Sequence, residues 1–124
     1  MKKILIVARF PEVAQWLKKI MEIIFDVCRV DTCSSLDEAI RLIKAKPYDL
    51  VITDYNLNQP EQGALVGHTA KIVDPATKVI VMNSHVGDGE NIRILSNADK
   101  YISKPFPLLP EFRVLINELI PLSE

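Results

Sequence analysis

Leu50-Val51-Ile52-Thr53-Asp54-Tyr55-Asn56-Leu57 is the stretch that decides the fold. Four residues suited to a strand run on without polar alternation, which fits a strand covered on both faces. Asp54 then stands where the strand ends and a polar loop, with Pro60 and Gly63, begins. Ile4 to Val7 and Lys78 to Met82 repeat the pattern, and Val27 to Val30 and Tyr101-Ile102 are shorter versions. Between these runs the apolar residues recur at helical spacing. Pro11 opens a first helix, where its missing N–H costs nothing. Val13, Leu17, Ile20, Met21 and Ile24 form its inward stripe, with Gln15, Lys18, Lys19 and Glu22 opposite. Ser35 and Glu38 form a capping box. The helix they start carries Leu36, Ala39, Ile40 and Ile43 inward and stops before Pro47. A weaker third helix covers Ala64 to Val73 and a fourth Glu90 to Ser96; Pro110 starts the last, with Phe112, Leu115, Ile116 and Leu119 inward. Five strands alternating with five helices predict an α/β fold, a doubly wound five-stranded parallel sheet spanning 1–124 as one domain. Ligands of such sheets bind beyond the C-terminal strand ends, which here hold Ala8 and Arg9, Asp54, Asn83 and Ser84, and Lys104.

Composition narrows the function classes. The 124 residues carry 48% hydrophobic side chains and a net charge of −1, as an ordinary globular domain does. Lys and Arg do not gather on one face, so a nucleic-acid partner is not expected. No apolar run reaches the roughly 20 residues of a membrane span. The basic-then-apolar start, Met1 to Val7, is broken at Arg9 and Pro11 without a small-residue cleavage site, and reads as a strand rather than a leader. Cys28 and Cys33 lack metal-ligand spacing and are expected as reduced, partly buried thiols of a cytoplasmic protein.

Three motifs occur in the order found in the receiver domains of two-component signalling, and the chain resembles that family over nearly its whole length. Leu50 to Leu57 looks like the strand and loop with the phosphoacceptor, Val79 to His85 like the fourth strand and switch loop, and Lys100 to Phe106 like the fifth strand with its aromatic and lysine. The resemblance implies a flavodoxin-like topology. It also implies that Asp54 accepts a phosphoryl group from a sensor histidine kinase and that Lys104 pairs with the phosphate. Tyr101 would move with the signalling state, and the main-chain carbonyl of Asn56 would be a metal ligand. The chemistry is sound, since a carboxylate is a competent acceptor when cations and donors are placed beforehand.

The pattern also breaks. Where the family ends its first strand with two acids that bind magnesium, this chain has Ala8-Arg9. Mg2+ prefers an octahedron of hard oxygens; with Asp54 as the remaining carboxylate, metal binding is expected to be weak or lost. Glu12, one turn into the first helix, is expected to point away. Arg9 has two readings: a guanidinium paired with Asp54 in place of the metal, or a side chain in solvent. The switch position holds Asn83 instead of a hydroxyl residue, with Ser84 able to serve only if the loop shifts by one. Asn58 stands at the family's proline position, and Gly63 comes one residue late. His85 is read as an exposed loop residue, His68 as lacking a partner, and Trp16 and Ile23 as the edge of the core.

Two functions follow. One is a phosphorylatable receiver that relays a signal. The other is a pseudo-receiver, a protein interaction module that uses its fourth helix, fifth strand and fifth helix to bind a partner or a second copy without phosphorylation. An enzyme is disfavoured: Asn56 stands where an aspartyl-phosphate hydrolase wants a second carboxylate, and Ala8-Arg9-Phe10-Pro11 cannot cradle a phosphate.

Overall fold

The computed structural model describes residues 1–84, 88–104 and 109–120. His85 and Phe106, both named above, lie outside the described residues. The elements alternate as β1 (Lys2–Val7), α1 (Pro11–Ile24), β2 (Cys28–Cys33), α2 (Leu36–Ala45), β3 (Leu50–Asp54), α3 (Gln62–Val73), β4 (Lys78–Asn83), α4 (Gly89–Leu95), β5 (Lys100–Ser103) and α5 (Leu109–Leu119). All strands pair in parallel in the order β2-β1-β3-β4-β5. The order reverses between β1 and β3, so the ends of these two strands and of β4 and β5 border the crevice.

The unbroken apolar runs follow from burial on both sides of the sheet. Successive strand residues face opposite ways. Ile4, Ile6, Leu50, Ile52, Ile80 and Met82 therefore meet α1 and α5, whereas Leu5, Val7, Val51, Val79 and Val81 meet α2, α3 and α4. Ser35 caps α2 by accepting the Glu38 N–H at 3.3 Å, as the capping box predicts. No described helix is long and apolar enough to cross a membrane.

Four local expectations change. β2 runs on to Cys33 because pairing with all six residues of β1 extends it, from Lys2 opposite Cys28 to Val7 opposite Cys33. As an edge strand with Arg29 and Asp31 outside the core, it lacks the apolar run that marks the central strands. Its cysteines are free. Five residues apart on one strand, they face opposite sides of the sheet, Cys28 against the α1 side and Cys33 in the other core. α3 starts two residues early, because Gly63 permits the helix to touch the chain of β3: a Cβ there would strike the Asp54 carbonyl oxygen. Gly67 in the same way lets α3 approach the Ser96 carbonyl. On α2 it is Leu42 that packs on the core, while Ile40 is half-buried outside both apolar clusters. Trp16 and Ile23 are 41% and 53% exposed rather than core edge. Each lies one position, or about 100°, from a buried stripe residue, Leu17 or Ile24.

Candidate functional site

Asp54 ends β3 with 4% of its surface exposed. Its carboxylate is held from two directions. The Lys104 ammonium, just past β5, lies 2.8 Å from Oδ1, and the main-chain N–H of Arg9, just past β1, donates to Oδ2 at 2.9 Å. Arg9 is placed there because β1 pairing continues one residue beyond the strand, with the Ala8 N–H bonded to the Cys33 carbonyl at 3.0 Å. Ala8 is fully buried in the apolar core. The Lys104 N–H in turn donates to the Asn83 carbonyl at 2.9 Å, and the Tyr55 N–H to the Met82 carbonyl at 2.8 Å, so β4 aligns both flanks of the crevice.

Arg9 thus follows neither expected reading in full. Its guanidinium lies over the Phe10 ring, 5.2 Å from the centroid, in cation–π geometry, on an exposed residue. Among the described residues the ion pair of Asp54 is with Lys104. The donor to Asp54 from position 9 is main chain, which any non-proline residue supplies, so nothing in the residue type announced it.

Asn83 is buried and Ser84 exposed; the Asn83 side-chain oxygen accepts the Ser84 N–H at 2.9 Å. Tyr101 is half-buried on the second core, its ring against Gly89, where a Cβ would collide with it. Asn56 uses its side-chain oxygen to accept the Glu61 N–H at 2.9 Å. Glu61 was not legible as part of the site. It takes a left-handed conformation, φ 65°, at the entry to α3. Burial first, and then the neighbouring Glu61 carboxylate, raise the Tyr55 phenol above its ordinary pKa. His68 does have a partner: its Nε2 lies 2.9 Å from the Leu95 carbonyl, tying α3 to the end of α4.

Two cavities flank this centre. A small cleft of about 110 Å³ is lined by Arg9, Phe10, Asp54, Asn56, Met82, Asn83, Ser84 and Lys104. A broader groove of about 830 Å³ runs from Arg9 along residues 55–61 to Asn91, Ile92 and Leu95 of α4. A family model, the response regulator receiver domain, matches residues 4–113.

The chain belongs to the response regulator receiver family. A two-component response regulator from Clostridium difficile superposes with a TM-score of 0.84 at 22% identity, covering 100% of this chain and 99% of that one. A response regulator receiver domain protein from Clostridium thermocellum gives 0.79 at 28%, covering 97% and 94%. The response regulator TrrA from Thermotoga maritima, solved in complex with Mg2+ and beryllofluoride, gives 0.80 at 23%, covering 97% and 100%. Comparison with curated proteins returned no match.

The receiver fold raises the question of magnesium, and the residues here do not suit it. Magnesium takes six hard oxygens, with carboxylates to offset its charge. The first strand ends in a buried methyl group and an arginine, Asp54 is the single carboxylate among the described residues lining the cleft, and an ammonium and an amide already engage it. Among the described residues no cluster of three His, Cys, Asp or Glu could hold a metal ion.

Proposed function

We propose that this domain acts in two-component signal transduction with Asp54 as its phosphoacceptor. Lys104 pairs with the phosphoryl oxygens, and Asn83, Ser84 and Tyr101 carry the change of state to a partner protein. The observation that carries this reading is the 2.8 Å contact between Asp54 and Lys104 across the ends of β3 and β5. An ionised carboxylate offers about four lone-pair positions, and the two donors leave acceptor capacity for attack on phosphorus. With a sensor histidine kinase as donor, the new P–O bond forms as the P–N bond to the imidazole breaks. The ammonium then faces a phosphoryl group in place of a bare carboxylate. The chain on this reading is a cytoplasmic signalling module rather than an enzyme. Its output surface is the α4–β5–α5 face, which also suits a homodimer, and neither nucleic acid nor membrane is among its partners.

A second reading is a pseudo-receiver that binds its partner without phosphorylation. It is favoured by the near-complete burial of Asp54 and by the Arg9 N–H on Oδ2, since each restricts approach to the carboxylate. Titration with beryllofluoride, a mimic of aspartyl phosphate, separates the two when followed by amide NMR in magnesium buffer and again in chelator. Saturable shifts at Asp54, Asn83, Tyr101 and Lys104 support the acceptor reading. Unmoved spectra in both buffers leave the interaction module.

A further inference from the structure

We infer that the Asp54 centre is a metal-free latch, in which the Arg9 N–H and the Lys104 ammonium occupy the carboxylate in place of a divalent cation. The inference goes beyond the question of phosphorylation and concerns what holds the three strand ends together. Three observations carry it. Each carboxylate oxygen has its own donor, Oδ1 the ammonium at 2.8 Å and Oδ2 the amide at 2.9 Å. The donors come from the residue just past β5 and from the β1–α1 junction, so one carboxylate ties both to β3. Among the described residues the cleft is lined by two cations, Arg9 and Lys104, against one carboxylate, which gives it a net positive charge where a magnesium site needs a negative one.

A divalent cation entering this cleft would have to share Asp54 with the ammonium and the amide and would meet a second positive charge at the rim. It would gain one carboxylate and neutral oxygens in return. The latch therefore needs no ion to close, and the fold gains nothing from magnesium, because a cation stabilises only a state to which it binds.

Manganese, which broadens the amide resonances around its binding site, is the direct probe, used alone without any phosphoryl mimic. The wild-type chain should show no selective broadening near Asp54, and its thermal midpoint should be the same in about 10 mM magnesium as in chelator. Arg9→Asp is the matching variant: position 9 is exposed, so the fold tolerates the change, and the new carboxylate reverses the sign of the cleft. It should acquire manganese broadening centred on Asp54 and Asn56 and a thermal midpoint that rises with magnesium. Ala8→Asp combined with Arg9→Asp should strengthen both effects, although Ala8 is buried and the double variant is the less secure folder. Saturable broadening centred on Asp54 in the wild type overturns the inference. A folded Arg9→Asp variant that binds no manganese overturns it as well, since the charge of the cleft would not then be what excludes the cation. Neither result depends on whether Asp54 accepts a phosphoryl group, so failure here is distinct from failure of the proposed function.

Discussion

At the scale of single residues, the two donors on Asp54 carry different weights. The Asp54 side chain is 6% exposed and that of Lys104 23%. Replacing the lysine by an apolar side chain would leave a nearly buried carboxylate with one amide donor among the described residues. A Lys104→Met variant should therefore lose about 1–3 kcal/mol of stability, the cost of stranding a buried polar group, measured by urea denaturation at neutral pH. Ser96 is the opposite case. It is fully buried, and its hydroxyl finds no partner among the described residues. Ser96→Ala removes an unsatisfied group without removing a bond, and should leave stability unchanged or raise it by up to about 1 kcal/mol in the same assay.

At the scale of elements, α3 is positioned by glycine rather than by a broad apolar stripe. Gly63, Val66, Gly67 and Ala70 are its buried residues, and the two glycines set how closely it approaches β3 and α4. Gly63→Ala would push a methyl group into the Asp54 carbonyl. The expected loss is about 1–3 kcal/mol, as for overpacking elsewhere, and amide shifts should spread to Tyr55 and Asp54, since the Gly63 N–H bonds the Tyr55 carbonyl. On β2, burial first and then the Glu38 carboxylate push the Cys33 thiol up to about 11. Burial and Glu22 raise Cys28 as well. Because the thiolate is the reactive form, the native protein should alkylate slowly in mildly alkaline buffer, Cys28 before the more buried Cys33, and both should react once the chain is unfolded. Mass spectrometry of timed aliquots reads the order.

For the whole molecule, acid and alkaline stability meet at one cluster. The Tyr48 hydroxyl donates to Asp31 at 2.7 Å, and Lys46 pairs with the same carboxylate at 3.0 Å. Burial acts to raise Asp31, but the bonds from Tyr48 and Lys46 and the charges of Lys46 and Arg29 outweigh it, and its pKa falls. Burial first, then Asp31, drive Tyr48 well above the ordinary phenol range. The lowered carboxyl contributes stability above its unfolded pKa of about 3.9 and loses it as pH falls through the depressed folded value. The raised phenol contributes below its unfolded pKa of about 10 and loses it as pH rises through the folded value. Tyr48→Phe removes the phenol's contribution and the part of the Asp31 contribution that the Tyr48 hydrogen bond supplies, while Lys46 and Arg29 stay beside the carboxylate. The variant should be less stable than wild type by about 1 kcal/mol at neutral pH, with the gap closing in strong acid and in strong alkali.

The order of elements, the double-sided burial of the central strands and the location of Asp54, Asn83 and Lys104 at strand ends were all legible in the chain. Each rests on periodicity and local chemistry: unbroken runs for strands buried on both faces, 3.6-residue stripes for helices, Pro11 and Ser35 as helix starts. The loss of the acidic pair was equally plain, because Ala8 and Arg9 carry no oxygen ligands in their side chains. What replaces that pair was decided by tertiary structure alone. The Arg9 amide reaches Asp54 because β1, paired with β2 and β3, projects the following N–H into the crevice, while its guanidinium settles on Phe10. The length of β2 and the partners of Glu61 and His68 belong to the same class. They depend on which main-chain groups come together across the fold, and main-chain donors and acceptors are common to nearly every residue, so side-chain identity does not encode them.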